Sequence, residues 1–359
     1  MRRLILCLVL CLSGLLPLAP AIGDADPYVV SGIAVDATSS SASQAQDIAI
    51  VSGRTRAWTK LLQRLTKAQD FSKIPVLDDT AITRMIRTYR FANERRSTTR
   101  YMADITYVFN ADAVRHFLRA ANIAYADMQA RPILVIPMAP GYAPHSAWTA
   151  IWANPKYATG VAPLVLPTGD ALDAAALSAL NFRTAEWQDV EPSASRAHAA
   201  EAYLVWVSQG KDALTIKLKR LAAANSPPIP DVTVPIAPGM NGRKVYQNAA
   251  DAAAAAIIED WKLRSAIDFN RRSKLIAEVH INSLADWSQL LQKLGTVPTI
   301  TDVGVVAMNT GEARIAITYA GNPEQLHDLI AQANLDLSND DGVWWLGPQE
   351  PTSVQTGQQ

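Results

Sequence analysis

Cysteine is nearly missing from this sequence: Cys7 and Cys11 are the only two in 359 residues. Both sit in an apolar stretch from Leu4 to Leu16, behind Arg2-Arg3 and ahead of Pro17 and Pro20. A positive start, a short apolar run and small residues after it describe a secretory signal peptide. The run is short for a bilayer span. Ala19-Pro20-Ala21 and Ala21-Ile22-Gly23 both satisfy the small-x-small rule, so a signal peptide over residues 1–23 is expected. The competing reading is an anchor that is never cleaved. Arg2-Arg3 has no polar lead-in, and Cys11 follows Leu10 rather than a small residue. General secretion to the periplasm is therefore expected, rather than twin-arginine export or lipidation. Cleavage removes every thiol, which excludes cysteine nucleophiles, iron–sulfur clusters and Cys-ligated zinc.

Charge is also scarce. Charged residues make up 18%, below the usual ~25%. The 33 basic and 33 acidic side chains cancel, which argues against a dedicated nucleic-acid binder. Beyond the signal no run of eighteen apolar residues occurs, so no transmembrane segment is expected after cleavage. Motifs are missing as well: no Gly-x-Ser-x-Gly elbow, no His-Glu-x-x-His helix and no phosphate loop. Ser208-Gln209-Gly210-Lys211 matches Ser-x-x-Lys, but it falls at an expected hairpin tip rather than a helix start. The five histidines His116, His145, His198, His280 and His327 form no i, i+4 pair. No metal and no cofactor are expected.

What is present reads as a mixed α+β and α/β chain in three units. In residues 24–126, a strand from Tyr28 precedes a helix with Ala45, Ile48, Ala49, Trp58, Leu61, Leu62 and Leu65 at helical spacing. Strands over Thr88–Arg95 and Arg100–Phe109 follow. In the second, Tyr101, Ala103, Ile105, Tyr107 and Phe109 alternate, which predicts one buried face. Asn110 caps a further helix, giving β-α-β-β-α with a small extra helix near Thr80 to Ile86. Residues 127–270 read as a central α/β unit. Its apolar strands start at Ile133 and Ala162, a helix runs from Asp170 to Leu180, a hairpin turns at residues 209–212, and an Ala-rich helix spans Gly242 to Trp261. Residues 271–347 read as a ferredoxin-like β-α-β-β-α-β unit ending on Val343-Trp344-Trp345-Leu346. Residues 348–359 are a polar tail, expected to be disordered.

The strand Tyr28 to Asp36, followed by Ala45-x-x-x-Ala49 and a Leu61-Leu62-x-Arg64-Leu65 ending, resembles the bacterial envelope family named domain of unknown function 2066. Arg131-Pro132-Ile133-Leu134-Val135, Ala162 to Pro167 with Gly169-Asp170, and Ser283-Leu284-x-x-Trp287 are similar to that family too. The order of these motifs carries the likeness. It implies architecture and an envelope location. No activity or catalytic residue comes with it.

Three groups of residues are functional candidates. Between Arg54 and Arg100 lie twelve basic residues and only four acidic ones, Asp70, Asp78, Asp79 and Glu94. Arg56, Lys60, Arg64 and Lys67 are spaced along one helix face, an expected site for an anionic membrane surface or an acidic envelope protein. The plainer reading is a solvated helix face. Trp148 and Trp152, with Tyr142 and Tyr157 near them, are a candidate ligand platform or a packing pair. Asp170 and Asp173 are a candidate acid–base pair or the acidic first turn of a helix. These candidates support a non-enzymatic binding or scaffold protein of the bacterial envelope. One alternative is a hydrolase or small-ligand-binding protein in which Trp148, Trp152, Asp170 and Asp173 converge on a central pocket. The other is a structural subunit that pairs sheet edges through its last unit.

Overall fold

The computed structural model describes residues 26–139, 141, 143, 145–222 and 227–348. The expected signal peptide, the tail beyond Pro348 and Tyr142 lie outside the described residues. The chain is mixed α+β with three sheets, in the class its sequence predicts.

The first unit contains β1 (Val29–Thr38), α1 (Ala42–Leu65), a 3-10 turn (Ala68–Lys73), α2 (Asp79–Met85), β2 (Ile86–Arg96), β3 (Arg100–Phe109) and α3 (Ala111–Ala120). Its sheet is antiparallel, ordered β1-β3-β2. The Ser41 hydroxyl accepts from the Gln44 amide and starts α1. Ala45, Ala49 and Ala57 are small enough to lay α1 close on the sheet, and Gly53 makes the approach closest. A Cβ on Gly53 would meet the Tyr107 hydroxyl at 2.6 Å. That hydroxyl donates to the Ile50 carbonyl at 2.9 Å. Trp58 packs between Phe109 and Phe117 and closes the core toward α3.

The central unit contains β4 (Ile133–Met138), α4 (Ala147–Trp152), β5 (Leu164–Val165), α5 (Ala171–Leu177), α6 (Trp187–Arg196), β6 (Glu201–Gln209), β7 (Ala213–Leu221), β8 (Val232–Pro235) and α7 (Gly242–Ser265). The sheet order is β5-β4-β6-β7-β8. The first three strands run parallel and the last three antiparallel. Alternating residues of β4 and β6 divide into two cores. Ile133, Val135, Tyr203 and Val205 pack with residues of α4 and α7, whereas Leu134, Ile136, Ala202 and Leu204 pack with residues of α5 and α6. Burial on both faces explains the apolar run of β4 and the mostly apolar middle of β6, residues 202–207. Helix α6 was not expected, because Pro192 lies inside it. It forms because Glu186 and Asp189 make a reciprocal cap and Val190 and Ala194 face the core. The expected helix from Asp170 to Leu180 is shorter, ending at Leu177.

The third unit contains β9 (Arg272–His280), α8 (Leu284–Gly295), β10 (Ile300–Met308), β11 (Glu312–Ala320), α9 (Pro323–Gln332), β12 (Leu335–Asp340) and β13 (Val343–Pro348). The order is β10-β11-β9-β13-β12. This corrects the expected β-α-β-β-α-β pattern, which lacks β12. Leu335 and Leu337 are buried, but Ser338, Asn339 and Asp340 make the rest of the strand read as a loop. Asp341 and Gly342 both take positive φ and turn the chain into β13, a two-residue hairpin. β13 then inserts beside β9 and runs parallel to it.

The units meet at the C-terminal end of α7. The Lys262 ammonium is buried there, donating to the carbonyls of Gln63 and Thr66. Glu259 accepts from the Ala68 amide at 2.7 Å. Tyr125 bridges Thr66 and Ile267 and stacks on Phe269 at 4.8 Å. Gln325 of α9 donates to the carbonyls of Arg264 and Ala266.

Candidate basic surface

The four residues of the expected helical stripe have three different surroundings. Arg56 and Lys60 are exposed on α1. Arg64 donates to the carbonyls of Pro27 and Val29 and fastens the start of β1. Lys67 lies beyond the end of α1 and pairs with Asp70, which also binds Lys73. Burial works to raise the Asp70 carboxyl, but the hydrogen bonds from Lys73 and Lys67 outweigh it and hold the carboxyl below its ordinary range. The stripe is therefore half structural.

Besides Arg56 and Lys60 on α1, free positive charge is concentrated on α2 and β2. Residues 84–100 hold six arginines and one glutamate. Arg100 is bound by Asp36 through two hydrogen bonds, which hold the Asp36 carboxyl below its ordinary range. Arg96 lies over the Tyr101 ring and reaches Gln46 and Glu94. Arg84, Arg87, Arg90 and Arg95 are exposed and have no ion-pair partner among the described residues. Strand β2 makes them prominent. It pairs with β3 on one side and has no neighbour on the other among the described residues. None of its residues is fully buried.

Register assigns the β2 side chains to faces. Arg90 is opposite Thr106 and Arg95 opposite Met102, on the face turned away from α1. There Arg95 borders a shallow depression of about 250 Å3 with Ala34, Asn93, Met102 and Asp104. Tyr89 is opposite Tyr107 and Phe91 opposite Ile105, on the α1 face. Tyr89 is still 44% exposed, since α1 lies over β1 and β3. The irregular register between Ala92 and Arg95 includes Asn93 at positive φ, and its side chain donates to Asp104. A bulge of this kind re-aims the strand's tip.

The basic run counted in the sequence includes these arginines, but helical spacing favours α1. The signal that separates them is secondary structure. A strand with charged residues along one face and only partly covered residues on the other is an edge, and an edge strand exposes its arginines.

The central candidates do not assemble. Trp148 and Trp152 are buried in the core shared with α7 and pack edge to face at 5.7 Å. Trp148 donates to the Val205 carbonyl, and Trp152 packs on Tyr157. They are packing residues and form no platform. Asp170 caps α5 by accepting from the Asp173 amide at 2.8 Å. Asp173 is 1% exposed and accepts from Thr168, the Gly169 amide, Ser193 and Arg196, tying α5 to α6. The aromatic pair and the aspartates pack on opposite faces of the sheet. The convergence expected of a central pocket is absent.

A second polar network in the central unit joins β6, β7 and α7. Glu201 binds Arg220 and Arg264, while Asp260 binds Tyr203 and Arg264. Burial, followed by the charge of Glu201, raises the Tyr203 phenol far above its usual value. Each of these groups has a partner, so the network holds elements together and leaves no free acid or base. No cluster of three or more metal-ligating side chains occurs among the described residues, and no described helix is long and apolar enough to cross a membrane. No family model matches this chain, and no curated protein matches it.

Proposed function

We propose that this chain is a non-enzymatic binding protein of the bacterial envelope, and that its first unit presents a basic surface to an anionic partner. The observation that carries the reading is the set of exposed, unpaired arginines Arg84, Arg87, Arg90 and Arg95 on α2 and β2. Clustered charge of one sign on a neutral chain attracts an oppositely charged partner over a range set by salt. The periplasmic location rests on the N-terminal sequence pattern, and the resemblance to the envelope family agrees with it. The test is binding of the purified chain to vesicles with and without phosphatidylglycerol, and to polyglutamate, as salt is raised. Each arginine near an anionic surface contributes about 1 kcal/mol. Reversing Arg87, Arg90 and Arg95 to Glu should therefore weaken binding roughly a hundredfold. Equal binding by the variant would remove the reading.

One observation favours a second reading, a structural subunit that pairs sheet edges. β10 is one of the two outer strands of the third sheet, and Val305 and Val306 on it are 53% and 55% exposed. An apolar outer strand is a template for pairing. Sedimentation of the wild type beside Val306→Lys tests it, the reading requiring an assembly that the substitution disperses.

A further inference from the structure

The reading of the first unit as a basic binding surface leaves open what sits on it. Resting on that reading, we propose that β2 takes up an extended acidic segment of a partner protein as an added strand along its free edge. Three observations lead to this occupant.

The first is the edge itself. β2 runs for 11 residues with no neighbour on its outer side among the described residues. Its outward amides and carbonyls are a template for another strand. The second is how its side chains divide. Arg90 and Arg95 belong to the face away from α1, and Tyr89 and Phe91 to the α1 face. Tyr89 and Phe91 meet edge to face at 5.4 Å and stay partly open. A bilayer surface touches one face of a sheet at a time. A strand added at the edge reaches both, because its own side chains alternate. An added strand with acidic residues toward the arginines and apolar residues toward the rings would satisfy both faces.

The third observation is charge. A second copy pairing β2 with β2 would bring together two strands that each carry four arginines and one glutamate, and like charge is unfavourable across strands. Cross-strand pairs of opposite charge are favourable, so the edge selects an acidic strand and rejects its own copy. An acidic alternating segment is the occupant that the register, the exposed rings and the unpaired arginines all permit.

The test uses the whole chain and a labelled peptide of about ten residues alternating Glu and Val. Two further peptides carry N-methyl groups on alternate amides, one set for each edge of the extended backbone. Both keep the full charge. The proposal expects salt-sensitive binding of the parent peptide. It expects Arg90→Glu with Arg95→Glu to weaken that binding at least about tenfold. It also expects one methylated peptide to lose about tenfold and the other to bind like the parent, since only outward amides pair with the edge. Circular dichroism checks that the variant keeps its fold. Equal binding by all three peptides would overturn strand addition and leave the basic-surface reading standing. Binding to phosphatidylglycerol vesicles without peptide binding would overturn the peptide occupant and keep the basic surface. Binding to neither probe would overturn both.

Discussion

Lys262 donates to the carbonyl of Thr66 at 2.7 Å, so a residue near the end of α7 closes the end of α1. The same ammonium donates to Gln63 at 2.9 Å and pairs with Glu259 at 2.7 Å. Helix ends leave carbonyls unsatisfied, and a buried cation there both caps them and meets the negative end of the dipole. The contact joins the first unit to the central one without an apolar interface alone. Lys262→Ala leaves the carbonyls of Gln63 and Thr66 without this donor and Glu259 with only the Ala68 amide. It should cost about 3 kcal/mol in urea unfolding. A loss near zero would mean that the units are held by other contacts.

Asp173 makes a second structural prediction, and it separates two adjacent aspartates. Asp173→Ala removes an acceptor with four donors, one of them Arg196, and should cost about 3 to 5 kcal/mol. Asp170→Ala removes a helix cap and should cost about 1 kcal/mol. Neither change should alter binding to anionic vesicles. A binding loss without a stability loss would return these residues to the candidate site.

Alkaline pH should unfold the chain through its tyrosines. Burial pushes the Tyr101 and Tyr107 phenols up to about 12, with the hydrogen bond to Glu94 adding to the rise at Tyr101. The unfolded phenol ionises near 10. The folded state therefore binds more protons between these values, and stability is full below pH ~10 and falls as pH rises toward ~12. Phenolate absorbance and urea midpoints measured across that window check the sign. A stability that stays level through it would contradict the burial of these side chains.

Much of the fold was legible in the sequence, and particular residues show why. The alternation of Tyr101, Ala103, Ile105, Tyr107 and Phe109 gave β3 its face, because one side of that sheet is covered and the other is open. Asn110 marks the start of α3, where its side-chain oxygen accepts from the amides of Asp112 and Ala113. Helix α6 was hidden by Pro192, whose effect a cap and a buried face offset. β12 was hidden because its outer half is polar and solvent-facing. The site was less legible. Helical spacing placed Arg64 and Lys67 with Arg56, yet spacing says nothing of acceptors distant in sequence, such as the carbonyls of Pro27 and Val29 that hold Arg64. Likewise Trp148 and Asp173 are near in sequence but divided by a sheet.

The helix and strand readings of the basic run make opposite forecasts. Arg56 and Lys60 are exposed on α1, whereas Arg87, Arg90 and Arg95 are exposed on β2. All five positions are at the surface, where substitutions usually change stability by no more than about 0.5 kcal/mol. The deciding measurement is the affinity of the whole chain for phosphatidylglycerol vesicles and for polyglutamate at one salt concentration, with two variants beside the wild type. Arg87→Glu, Arg90→Glu and Arg95→Glu together should weaken binding to the preferred anion roughly a hundredfold, while Arg56→Glu with Lys60→Glu should weaken it far less. An equal or larger loss in the α1 variant, or no loss in the β2 variant, would contradict the account.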